Sequence, residues 1–219
     1  MTEAPKKKIT VYTLYLNDYL GEVAELTLPT IGSWAKRIGA NFQLISTRKF
    51  EGWPITYEKL QLHQLMQENK DDWSIHVDAD MLLHPDLPNL LENLMPGEIG
   101  VHVIYDPAPW FKFDDYFFRD GRRIGITSNF MAVPKECRDL LLPFDCSLEE
   151  ASSGVSRLHG IDDYCFSRNL ARFGLKMGGL LPEPEKQYMI RHLSAGGNSN
   201  NIKELYEEAQ SILKKWPNF

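Results

Sequence analysis

The sequence predicts an α/β sandwich around a mainly parallel, mixed sheet. Three observations lead there. Short apolar runs with strand character alternate with segments of helical periodicity along almost the whole chain. Hydrophobic residues make up 43% of the 219, enough to fill a sizeable core. Neither an internal repeat nor a low-complexity linker interrupts the pattern, so residues 1–219 are expected to form one domain.

The elements follow in order. "ITVYTLYL", Ile9 to Leu16, reads as the first strand. "GEVAELTLPTIGSWAKRIG" reads as a helix closing at Gly39, with Pro29 expected to kink or split it. "NFQLIS" is a second strand. "TYEKLQLHQLMQEN" is a helix with Leu60, Leu62, Leu65 and Met66 on its apolar face. "WSIHVDADMLL" brings a third strand, and "DLPNLLENL" a short helix after a proline turn. "EIGVHVIY" and "SNFMAVPKE" give a fourth and a fifth strand, with a helix from Pro134 onward. "IDDYCFSRNLARFG" is a helix with two acids in its first turn, where the helix dipole favours them. "LKMGGLLPE" and "QYMIRH" are short strands, and a last helix runs from about Ile202 to Lys215.

Composition narrows the function. A net charge of -6 argues against a nucleic-acid binder held by phosphate contacts. The three cysteines, Cys137, Cys146 and Cys165, have an odd count and no CxxC spacing. They read as small buried hydrophobes in a reducing compartment, and a cytoplasmic location is expected. No apolar run reaches the length of a membrane span.

The chemistry concentrates in "WSIHVDADMLLHPDLP". A hydrophobic strand here runs into two aspartates, Asp78 and Asp80, separated by one alanine. Two like charges so close repel, so a cation should justify them. The C-terminal edge of an open α/β sheet is where ligands bind. In an extended segment residues i and i+2 point to one side, which would let both carboxylates share a hard divalent ion, Mg²⁺ or Mn²⁺.

On these residues the chain resembles the nucleotide-diphospho-sugar transferases of the GT-A fold. Beyond "HVDAD", its opening "ITVYTLYLNDYLGEVAELTLPTIGSWAKRIGANFQLIS" is similar to their nucleotide-binding βαβ segment. "TYEKLQLHQL" stands where such enzymes place a basic residue near the donor. "SNFMAVPKE" is similar to their asparagine-bearing strand, and "IRHLSAGG" to the late histidine loop of family-eight-like members.

The resemblance implies a three-layer α/β/α sandwich and a glycosyltransferase with Mn²⁺ or Mg²⁺ as cofactor. Asp78 would touch ribose and metal, Asp80 would be the main ligand, and His192 would complete the set, tilting the ion toward manganese. Lys59 would neutralise donor phosphate or hold the sugar. Thr13, Tyr15, Tyr57, Ser128 and Asn129 would line the donor site. Asp162 and Asp163 resemble the acidic pair that opens a helix and either deprotonates the acceptor or grips sugar hydroxyls. The lysine that family-eight members carry near the late histidine is absent from "HLSAGGNSNN", so retention and inversion both stay open.

The irregular segment from Asp106 to Gly125 is dense in aromatic rings and reads as an acceptor surface or lid, with Trp110, Phe111 and Tyr116 as its platform. His63, His76, His84, His102 and His159 show no ligand spacing among themselves and read as structural. The expected partners are a nucleoside-diphosphate sugar, UDP-sugar favoured, and a glycan or lipopolysaccharide-type hydroxyl acceptor. A sugar-nucleotide nucleotidyltransferase is the alternative enzyme class. Those enzymes carry a glycine-rich, basic loop after the first strand, where this chain has "LYLNDYLGEVAE". A non-catalytic nucleotide- or sugar-binding protein of the same fold is the third reading.

Overall fold

The structure, a computed structural model, describes residues 7–105, 111, 124–180, 189–193 and 201–216. A six-stranded mixed sheet runs through it. Its strands are β1 (Ile9–Leu14), β2 (Asn41–Ile45), β3 (Trp73–Val77), β5 (Glu98–Val101), β8 (Phe130–Pro134) and β9 (Lys176–Gly179), in the order β2-β1-β3-β8-β5-β9. β1 pairs in parallel with β2 and β3, and β5 with β9. β8 alone runs the other way, antiparallel to both β3 and β5. Two short antiparallel pairs stand apart: β4 (Met81–Leu83) with β10 (Ile190–His192), and β6 (Ile104–Tyr105) with β7 (Gly125–Ile126).

Strand alternation sorts the core into two layers. From β1 and β8, Val11, Phe130 and Ala132 join Ile31, Trp34 and Ala35 of α1 (Glu22–Arg37). Their neighbours Tyr12, Met131 and Val133 join Leu60, Met66 and Phe166 on the other face. That second layer contains a 3-10 segment (Ile55–Gln61), α2 (Leu62–Asn69) and α4 (Ile161–Arg172); a short α3 (Leu148–Ser152) precedes α4. The result is the expected α/β/α sandwich. α5 (Ile202–Leu213) packs on α1 through a third cluster holding Leu205, Ala209 and Trp216. None of the described helices is long and apolar enough to cross a membrane.

Several elements differ from expectation. Pro29 does not split α1, which runs unbroken over 16 residues. Pro29 is exposed, so its ring meets no packed neighbour, and the Glu25 carbonyl one turn earlier goes without its helical N–H partner. The helix does close at Gly39, whose φ of 73° is left-handed. The segment starting at Ile55 is 3-10 helix before it becomes α2. This tighter winding stacks Glu58 under Gln61, whose amide donates to the Glu58 carboxylate at 2.7 Å. The stretches after Pro88 and Pro134 are also 3-10, Leu90–Asn93 and Lys135–Leu141. "EIGVHVIY" divides into β5 and β6.

Candidate functional site

The two aspartates leave the end of β3 in a turn. The Met81 N–H donates to the Asp78 carbonyl at 3.1 Å, so Asp78, Ala79 and Asp80 are not extended. This corrects the expectation that strand alternation places the carboxylates on one side. Turn curvature does so instead, with Ala79 fully buried and its carbonyl accepting from the Thr27 hydroxyl at 2.5 Å.

β10 brings His192 to this turn. His192 lies opposite Met81 in the β4–β10 pair, and the Leu193 N–H donates to the Asp80 carbonyl at 3.1 Å. His192 Nε2 is 3.4 Å from Asp80 Oδ2, and the Asn129 amide is 3.2 Å from Nδ1. Burial would lower the His192 pKa, but the hydrogen bond to Asp80 and the charges of Asp80 and Asp78 raise it. One ligand atom each from Asp78, Asp80 and His192 fall within 4.8 Å of one another. Groups held about 2.0–2.6 Å from a single ion lie at most about 4–5 Å apart, so this donor set fits a divalent cation.

Lys59 is the electrostatic centre. Its ammonium is buried, 2.8 Å from Asp78 Oδ1, 3.3 Å from Asp162 Oδ2 and 2.9 Å from the Ser128 hydroxyl. Burial alone would lower its pKa; Asp78, Asp162 and Asp163 reverse that and raise it. Burial would likewise raise the Asp78 carboxyl, but Lys59 and His76 hold it well below the usual carboxylate range. One buried cation thus ties the aspartate turn to the start of α4.

On α4, Asp162 is buried and Asp163 half-buried. Asp162 Oδ2 accepts from the Ser128 hydroxyl at 2.9 Å. Asp163 Oδ1 accepts from the Ser128 N–H at 2.8 Å and lies 2.8 Å from its hydroxyl. Among the described residues, these carboxylates bond across to Ser128 and not to N–H groups of their own helix. Burial and the adjacent Asp162 push the Asp163 pKa up to about 7.

A cleft of about 450 Å³ opens over this network. Lys59, Asp78, Ser128, Asn129, Asp162, Asp163 and His192 all line it, so residues expected from five separate stretches of sequence converge. Phe111 lines it too, buried against Tyr164 at 5.2 Å between ring centroids. Trp110 and Tyr116 lie outside the described residues.

Tyr57 is placed elsewhere. Its ring is buried, stacked 4.0 Å from Trp53, and its hydroxyl accepts from the Phe144 N–H at 2.7 Å. These contacts are core packing, and the ring does not line the cleft. Thr13 is fully buried in β1, and Tyr15 is half-buried with its phenol on Asp18; neither lines the cleft. Sequence reading missed His76, whose Nε2 touches Asp78 Oδ1 at 2.8 Å, and His159, which lines the cleft. It also missed Tyr19. Although Tyr19 is 43% exposed, its phenol is pushed up by desolvation and by the charges of Asp78 and Asp80. Asn17 and Asp18, both at left-handed φ, shape the loop that carries it.

No protein-family model matches the chain, and no curated protein matches its sequence. Solved structures match its fold. A glycosyltransferase involved in the glycosylation of the major capsid of PBCV-1 shares 13% identity over 93% of this chain and 99% of that one, with a TM-score of 0.54. The galactosyltransferase LgtC, solved with donor and acceptor sugar analogs, shares 10% over 92% and 95%, with a TM-score of 0.51. The chain therefore has the GT-A fold seen in glycosyltransferases.

Proposed function

We propose that this protein is a metal-dependent glycosyltransferase. It would move a sugar from a nucleoside-diphosphate sugar, UDP-sugar favoured, to a hydroxyl of a glycan-type acceptor. The observation that carries this reading is the meeting of Asp78, Asp80 and His192 at the end of β3, with Asp78 and His192 lining the same cleft as the Asp162–Asp163 pair.

Asp78, Asp80 and His192 would hold Mn²⁺ or Mg²⁺, which when bound supplies Lewis-acid stabilisation of the leaving diphosphate. The chain's own groups do the rest. Lys59 keeps Asp78 ionised and stands 3.3 Å from the Asp162 carboxylate. Ser128 aligns the acid pair from the neighbouring wall. Asp163, poised near 7, can take a proton from an acceptor hydroxyl or grip a hydroxyl of the sugar. Phe111 offers an apolar face beside them.

The test is thermal stabilisation of the chain by Mn²⁺ together with each nucleoside diphosphate. A shift with UDP that requires the metal is the expected result. No shift with any diphosphate would remove the reading.

A further inference from the structure

β3 carries a histidine through its interior. His76 is fully buried, between Ile75 and Val77, whose side chains face the α1 layer. Alternation therefore turns its ring to the opposite face, where Lys59 and α4 lie. Its Nε2 is 2.8 Å from Asp78 Oδ1. Asp78 is ionised, so its oxygen accepts and Nε2 carries the proton. Nδ1 is then a bare acceptor, and it meets no donor among the described residues. A buried imidazole with one nitrogen unpaired is a poor choice for packing alone, because a central strand position takes Val or Ile at less cost.

The lone pairs of Asp78 suggest what it gains. Lys59 Nζ approaches the same Oδ1, also at 2.8 Å. Two donors occupy that oxygen, and Oδ2 takes no hydrogen bond among the described residues. The Asp78 N–H, bonded to the Asn129 carbonyl at 2.8 Å, fixes the backbone beneath. We propose that His76 is a positioning residue: with Lys59 it locks Asp78 in one rotamer, so that Oδ2 alone is presented to the cation and its nucleotide. The proposal rests on the metal-site reading above.

Two variants separate aiming from packing. His76→Gln keeps an N–H donor near the Nε2 position; His76→Leu fills the space and donates nothing. Free Mn²⁺ is followed by electron paramagnetic resonance during titration of the full chain, with and without UDP, beside thermal unfolding and crystal structures of each variant. His76→Gln is expected to bind like wild type. His76→Leu is expected to fold at least as stably, to bind Mn²⁺ with UDP on the order of 10- to 100-fold more weakly, and to show Asp78 in more than one rotamer. Wild-type affinity in His76→Leu would overturn the proposal, as would equal losses in both variants together with a lowered Tm. Should the wild type bind neither Mn²⁺ nor UDP, the metal reading fails by itself. The Asp78 rotamer in the His76→Leu crystal then decides the positioning role alone.

Discussion

The Lys59 ammonium lies 2.8 Å from the Asp78 carboxylate, with the lysine side chain only 7% exposed. Breaking a buried pair by removing one partner leaves an uncompensated charge, and here Asp162 loses its partner too. Lys59→Met should therefore cost about 3–5 kcal/mol near neutral pH, measured by denaturant unfolding. The pH window follows from the two shifts. Asp78 is depressed in the folded state, so its contribution exists above about 3.9 and disappears as pH falls through the folded value. Lys59 is raised, so its contribution exists below about 10.4 and disappears as pH rises through its folded value. The wild-type advantage should be a plateau between those limits, shrinking on both sides.

Asp80→Ala should abolish stabilisation by Mn²⁺ with UDP and leave the fold intact. The Leu193 bond goes to the Asp80 backbone carbonyl, so β10 stays docked without the carboxylate. Circular dichroism and thermal melts with and without metal read the two effects separately. Wild-type metal response in this variant would remove Asp80 from the site.

Asp163 gives a pH signature. Its folded pKa is about 7, above the unfolded value of about 3.9. The sign is thus opposite to that of Asp78: stability is complete below about 3.9 and is lost as pH rises toward 7. Asp163→Asn should flatten stability across that interval. As a general base, Asp163 should also give turnover a limb near pH 7. Its loss should then lower turnover roughly 10²- to 10⁴-fold with donor affinity kept. Weakened donor binding in the same variant would mark a sugar-gripping group instead.

Tyr57→Phe tests the placement of that ring in the core. The Phe144 N–H loses its acceptor, which should cost about 1 kcal/mol. Donor affinity should not change. A large loss of nucleotide binding would return Tyr57 to the site.

The layered fold was legible because β3 and β8 announce themselves as short apolar runs and α4 as an amphipathic helix with acids in its first turn. The aspartate turn was legible as a pair of charges after such a run. Its geometry was not, since a D-x-D spacing fits a strand or a turn equally well. The burial of Lys59 could not be read either: its partners come from the turn after β3, the loop before β8 and the start of α4, and only tertiary packing joins them. His76 left one signal, an ionisable residue inside the buried "WSIHV", two positions before Asp78. Tyr57 packs in the core and stays off the cleft; aromatic rings serve cores and sugar sites alike, and local sequence does not separate the two.

The pairing of β4 with β10 also bears on how the protein is made. Chains emerge from the ribosome N-terminus first. Asp78 and Asp80 are therefore translated long before His192, and the full donor set exists only after β10 has docked against β4. A nascent or clipped chain lacking that strand carries the same two aspartates without the imidazole. The proposed metal site would then assemble only once β10 has paired with β4.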